Sequence, residues 1–286
     1  MDLQTPRLPR TAIRALLIPT CLALAAVLSG CASTVRDTWF AAAGAGERSS
    51  VALYARSLSD PPVELESAGP LAVDITSFGG SIEVIGNPKR STVLIQVVRR
   101  GTHGSGRGEE SRFALDDIKV SAVIGQGDLG QALIVRAETT EAETWFLHAD
   151  LRIEVPEIEG LRVHNGHGPV RIRNAAGKID ITTHRGSILL ASDHPLQDGI
   201  QMSTDSGDID CRLPAGTAGS LDLMAHRGTI SPRIRRGQLV VQQGTTNDRF
   251  VGVLNGGDQP VVLRTVDGTI RFAVVDTPLA HGRIFR

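Results

Sequence analysis

His184, Asp205 and His226 recur at a spacing of 21 residues, each followed by one further polar residue (Arg185, Ser206, Arg227) and then by glycine. Two imidazoles and a carboxylate are ligands that Zn²⁺ or a similar ion accepts, if the fold brings them into one coordination sphere. On successive coils of a stacked sheet they would stand about 4.8 Å apart along one edge, so a His-Asp-His column is geometrically available. Against the metal stand the equivalent positions of the other repeat copies, Phe78, Gly166 and Val266, none of which carries a polar side chain. A solvated corner takes almost any residue, and the expectation is that no metal or cofactor is bound and no catalytic residue is assigned.

The remaining reactive side chains have simpler readings. The Gly-rich stretch GTHGSGRGEE lacks the Lys-Ser/Thr pair that holds phosphates and reads as a mobile loop. Cys211 falls at an inward strand position, where a small apolar thiol packs rather than reacts. Glu109-Glu110 and Asp116-Asp117 are adjacent pairs, which on an extended chain point to opposite faces and cannot converge on one substrate. His164 and His167 flank the turn of NGHG.

The elements that position these residues follow one frame. Seven and five residues before Gly186 stand Ile179 and Ile181, three before it Thr183, and two and four after it Ile188 and Leu190. The same frame fits around Gly80, Gly168, Gly207, Gly228 and Gly268, with Pro232 the one poor member. The apolar alternation is that of strands with one buried face, and its one-residue slip across the glycine marks a corner. Gly186, Gly207 and Gly228 are 21 apart, and the gap from Gly228 to Gly268 holds a degenerate beat with Leu239, Val241, Val251 and Val253. A beat near 20 residues with two short strands is the pattern of a β-solenoid, whose coils bury their inward side chains against one another. The expected fold is therefore all-β, a single-domain solenoid over 68–286, with an irregular first coil or cap at 68–155, regular coils at 156–275 and a tail at 276–286. The alternative is an antiparallel β-sandwich. Only 3% of the residues are aromatic, so the core must be built from Val, Ile and Leu, which suit strands.

The N-terminus says where the protein goes. Arg7, Arg10 and Arg14 precede the apolar run Ala15 to Val27, an export signal over 1–30. Leu28, Ser29, Gly30 and Cys31 resemble a bacterial lipobox, which implies cleavage before Cys31 and lipidation of that residue. Ala32 and Ser33 follow without an Asp, which favours the outer membrane if the organism is Gram-negative. Residues 31–67, rich in Ala, Gly and Ser, read as a tether with one short helix. The formal charge of −1 gives no reason to expect a nucleic acid as partner.

The run LRIEVPEIEGLRVHNGHGPVRIRNAAGKIDITTHRGSILL, with STDSGDIDCRLPAG and VDGTIRFAVV, resembles a bacterial adhesin-like family of unknown function with a right-handed β-helix head. The resemblance spans roughly Leu71 to Val275 and rests on Val155-Pro156 and the recurring Thr-x-x-Gly-x-Ile. It implies a non-enzymatic surface or periplasmic lipoprotein, held at the membrane through its lipid, with an adhesin-like binding or envelope-structural role and a protein or glycan ligand. A carbohydrate-active β-helix enzyme and an envelope-signalling accessory protein are the alternatives, the first of which requires acids or bases converging on one flank.

Overall fold

The computed structural model describes residues 35–40, 53–67, 69–103, 107–142 and 144–280. The export signal, the lipobox with Cys31 and residues 281–286 lie outside the described residues. Within the segment expected to be a tether lie strands β1 (Val35–Phe40), β2 (Leu53–Ser59) and β3 (Val63–Glu66). The first coil follows as β4 (Leu71–Ser77) and β5 (Ile82–Gly86), then β6 (Thr92–His103), helix α1 (Gly108–Asp117), β7 (Lys119–Gly127), β8 (Gly130–Glu138) and β9 (Leu147–Val155). Four strand pairs then keep the beat: β10 (Ile158–His167) with β11 (Val170–Arg173), β12 (Ala176–Arg185) with β13 (Ile188–Ala191), β14 (Ile200–Ser206) with β15 (Ile209–Pro214), and β16 (Gly219–Arg227) with β17 (Ile230–Ile234). A hairpin of β18 (Leu239–Val241) and β19 (Arg249–Leu254) precedes the final pair, β20 (Pro260–Asp267) and β21 (Ile270–Val275).

The fold is all-β with two large sheets. One runs β1-β2-β6-β9-β5-β11-β13-β15-β21-β17, with β3 also on β6, and the other β18-β19-β16-β20-β14-β12-β10-β4-β8-β7. From β9 to β17 in the first sheet, and from β8 to β16 in the second, the neighbouring strands are parallel. Seven coils of two strands each therefore stack in register, which the antiparallel sandwich does not allow. Antiparallel strands flank this stack: β6 on β9, β7 on β8, and β19 on β16. The degenerate beat expected between Gly228 and Gly268 is this last cap and not a coil. Its apolar residues sit on β18 and β19, which pair antiparallel and cover β16.

The alternation drives the packing. Ile179, Ile181, Ile188 and Leu190 point between the sheets and are at most 2% exposed, as are Ile200, Met202, Ile209 and Cys211 one coil on. Each full burial of such a side chain contributes about 1.5–3 kcal/mol. At Gly160, whose φ is +115°, the strand bulges: the register shifts between Glu159 and Leu161 against β12 and between Ile158 and Leu161 against β4.

The coils do not stack in chain order. β20 lies between β14 and β16, and β21 between β15 and β17. The coil at Gly228 thus leaves one place vacant, and the last coil of the chain fills it. At the other end β4 and β5 sit between β8 and β9 on one side and β10 and β11 on the other. Both ends of the parallel stack are consequently closed by coils that lie internal to the sequence. Pro232 now has a reason: β17 is the edge of its sheet, and a residue without an N–H is tolerated there and blunts further strand addition.

Candidate functional site

The Thr-x-x-Gly beat is a structural device. In spatial order Gly80, Gly168, Gly186, Gly207, Gly268 and Gly228 form one column along the corner. A Cβ added to any of the last five would strike the carbonyl of the glycine before it. The close approach is hydrogen-bonded: Gly168 N donates to Arg185 O at 2.6 Å, Gly186 N to Ser206 O at 2.8 Å and Gly207 N to Asp267 O at 2.9 Å. At three of the corners the residue three before the glycine closes the ladder from inside. Thr204 Oγ1 donates to Gly186 O at 3.1 Å and Thr265 Oγ1 to Gly207 O at 2.9 Å. Asn165 Nδ2 does the same work towards Gly80 O at 3.0 Å. These side chains are buried, where a carbonyl left without a donor costs about 1–3 kcal/mol.

The His-Asp-His column is broken by the order of the coils. His184 Nδ1 and Asp205 Oδ2 are 2.9 Å apart, with both side chains largely exposed. His226 is not the next residue along: the strand beside Asp205's is β20, and it is β20 that separates β14 from β16. Among the described residues no group of three His, Cys, Asp or Glu side chains is placed to hold a metal ion. What remains is an exposed pair, of the kind worth at most about 1 kcal/mol. Beside His226, Arg227 approaches Asp267 at 3.6 Å.

Other expected features move as well. Glu109 and Glu110 lie in the first turn of α1, where acids oppose the helix dipole favourably, and Asp116-Asp117 close the same helix; the extended geometry assumed for these pairs does not apply. Of the Gly-rich stretch, residues 104–106 lie outside the described residues, while its ends belong to β6 and α1. Cys211 is fully buried, and burial pushes its thiol pKa far up, which keeps it a thiol rather than a nucleophile.

His167 does not face open water. Its ring lies against Gly79, Nε2 is 3.2 Å from Leu147 O, and His148 meets it edge-on at 5.2 Å between ring centroids. The His148 pKa is driven down to about 4, first by burial, then by the positive charges of Arg100 and His167, with Asp150 opposing. His103, packed on Phe146 at 4.2 Å, is lowered in the same direction by burial and Arg107. Burial thus favours the neutral rings of His148 and His103.

The surface that carries unbalanced chemistry is the outer face of the sheet containing β11. Register places Arg152, Glu83, Arg171, Leu189, Asp210 and Arg271 in one row across six strands. The adjacent row holds Glu154, Ile85, Arg173, Ala191, Arg212 and Ala273. Carboxylates occupy some of these arginines: Arg152 bonds Glu83 at 2.7 Å and Glu154 at 3.1 Å, Arg212 bonds Asp210 at 2.6 Å, and Arg271 bonds Asp208 at 3.0 Å. The signal for this face was the outward, alternating Arg171-Ile172-Arg173.

Comparison with known proteins supports the architecture. Toastrack DUF4097 matches residues 72–272. A "putative cell adhesion protein" from Clostridium sporogenes superposes with a TM-score of 0.51 at 13% identity, over 75% of this chain and all of that one. A "putative adhesin" from Bacteroides fragilis gives a TM-score of 0.28 at 11% identity, over 75% of this chain and 96% of that one. No curated protein matches the chain.

Proposed function

Because the chain belongs to the Toastrack DUF4097 family, we propose that it is a non-enzymatic, adhesin-like binding protein of the cell envelope. In this reading the coils form a right-handed parallel β-helix, residues 1–30 direct export, and lipid on Cys31 holds the protein at the membrane, the outer membrane if the cell is Gram-negative. Its partner is a protein or glycan, or it serves as a structural member of the envelope. The observation that supports binding over catalysis is the fate of the repeated residues: Thr204, Thr265 and Asn165 bond corner carbonyls, and the corner glycines stand at closest approach. What each coil then offers a partner is its outward sheet faces.

Two experiments separate this from its rivals. Metabolic labelling with a fatty acid tests the anchor: Cys31→Ala abolishes incorporation, and persistent labelling excludes Cys31 as the acylated residue. Glycan arrays and pull-downs with the mature protein test the binding role. The rival enzyme rests on the 2.9 Å contact of His184 with Asp205, a pair able to move a proton. Turnover of a polysaccharide that disappears in both His184→Ala and Asp205→Ala would replace the binding reading with the enzymatic one.

A further inference from the structure

Two arginines on the outer sheet face stand apart from the rest. Arg171 has Glu83 and Leu189 beside it in register, and Glu83 is already taken by Arg152 at 2.7 Å. Arg173 lies between Ile85 and Ala191, neither of which can accept a hydrogen bond through its side chain. Among the described residues neither guanidinium has a carboxylate partner, while Arg212 across the floor is bonded to Asp210 by two hydrogen bonds of 2.9 and 2.6 Å. Five donors on each of Arg171 and Arg173 are thus left to water.

These side chains form one wall of a groove of about 220 Å³ that runs along β13. Its floor is Leu189 and Ala191, outward residues that alternate with the inward Ile188 and Leu190. The opposite wall is Arg212 with Pro278, Leu279 and Ala280 of the segment after β21. Ala191, which points away from the core, is only 4% exposed and shares the groove with this segment. The result is an apolar strip with uncompensated positive charge along one side.

We infer that this groove binds an extended acidic peptide segment, its carboxylates at alternate residues facing Arg171 and Arg173 and its intervening small apolar residues lying on Leu189. The inference rests on the binding reading given above. Its ground is charge complementarity together with period. Side chains two apart on a strand are separated by roughly 6.6–6.8 Å, so Arg171 and Arg173 repeat at the distance at which alternate residues of a second extended chain repeat. Guanidinium pairs carboxylate through two parallel hydrogen bonds, which fixes the orientation of the segment as well as its charge. None of the nine lining residues is aromatic, so a sugar ring has no surface on which to stack.

The test is fluorescence anisotropy with the mature protein and three synthetic peptides: one alternating Glu and Ala, one of the same composition with its glutamates contiguous, and one alternating Lys and Ala. The alternating Glu peptide binds best, and binding weakens as salt is raised. Arg171→Gln and Arg173→Gln each weaken it about tenfold, whereas Arg185→Gln, on the corner, leaves it unchanged. The double reversal Arg171→Glu with Arg173→Glu transfers preference to the Lys peptide, a gain that misfolding could not produce. No binding of the alternating Glu peptide, or equal binding by the contiguous one, overturns the inference. So does equal competition by inorganic phosphate or an oligogalacturonate, which makes this a general anion site. A partner captured in pull-downs and retained by the double reversal would refute the groove and leave the binding function standing. Peptide binding without any envelope partner would do the reverse.

Discussion

Replacing Gly268 by alanine isolates what the corner column is for. Gly268 lies in the last coil of the chain, between the coils of Gly207 and Gly228, and has no left-handed φ. A Cβ there would stand 2.6 Å from the carbonyl carbon of Gly207, closer still to its oxygen, and 3.1 Å from Thr265 Oγ1. Carbon atoms in contact sit roughly 3.5–4.0 Å apart, so two coils must separate by about 1 Å at the corner. That movement stretches the ladder hydrogen bonds on both sides of the glycine. Overpacking of this kind costs about 1–3 kcal/mol, and rigid backbone on the receiving side places Gly268→Ala at the upper end. The reduced freedom of the unfolded chain returns about 0.4–1 kcal/mol, for a net loss of about 2 kcal/mol. In a domain of this size that lowers Tm by about 4–8 °C. Gly244→Ala is the control. Its φ is +91° but nothing lies within 4 Å of the added methyl, so only the conformational cost of about 1–2 kcal/mol applies, offset by the same unfolded-state gain. Differential scanning calorimetry of the mature protein should show the larger drop for Gly268→Ala. An equal or smaller drop would mean that these glycines serve chain reversal alone and that the coils are not held at closest approach.

Three further outcomes follow from the same geometry. Ending the chain at residue 258 removes β20 and β21, and with them the described partner of β17 and the parallel partner of β16; hydrogen exchange should then lose protection throughout β16 and β17, whereas coils stacked in chain order would lose only the last. Cys211 should resist alkylation in native buffer and react at the rate of global unfolding, as read by mass spectrometry of its tryptic peptide, and rapid labelling of the native protein would contradict its burial. Folded His148 titrates near pH 4 against an ordinary value of 6.5, so between those values the unfolded chain binds more protons and stability rises with pH. Tm should therefore fall as pH is lowered from 6.5 towards 5, above the range in which carboxylates contribute, and His148→Gln should flatten part of that slope; an unchanged slope would assign it elsewhere.

The sequence carries the coil and conceals the order of the coils, for a physical reason. Within a coil the information is local: alternating Ile, Val and Leu define the buried face, and the slip across the glycine defines the corner. Between coils it is nearly degenerate. Ile200 and Met202 meet Val261 and Leu263 in register, but they would pack as well on Leu221 and Leu223, because every coil repeats the same apolar frame. Chain order was the default, and the His-Asp-His column failed with it. One residue did mark the true arrangement. Pro232 fits its frame poorly because a parallel strand paired on both sides needs an N–H there, and that requirement vanishes at an edge, so the Gly228 coil had to be outermost with another coil beneath it. Ile188-Leu189-Leu190-Ala191 carries a similar mark. Four apolar residues without alternation say that neither face of that strand is left wholly to water, and on the outer face Leu189 and Ala191 share a groove with Pro278 to Ala280. Departures from the repeat, rather than the repeat itself, locate both the end of the stack and the groove, because a surface that must be covered or left unpaired is the only place where one coil is chemically unlike the next.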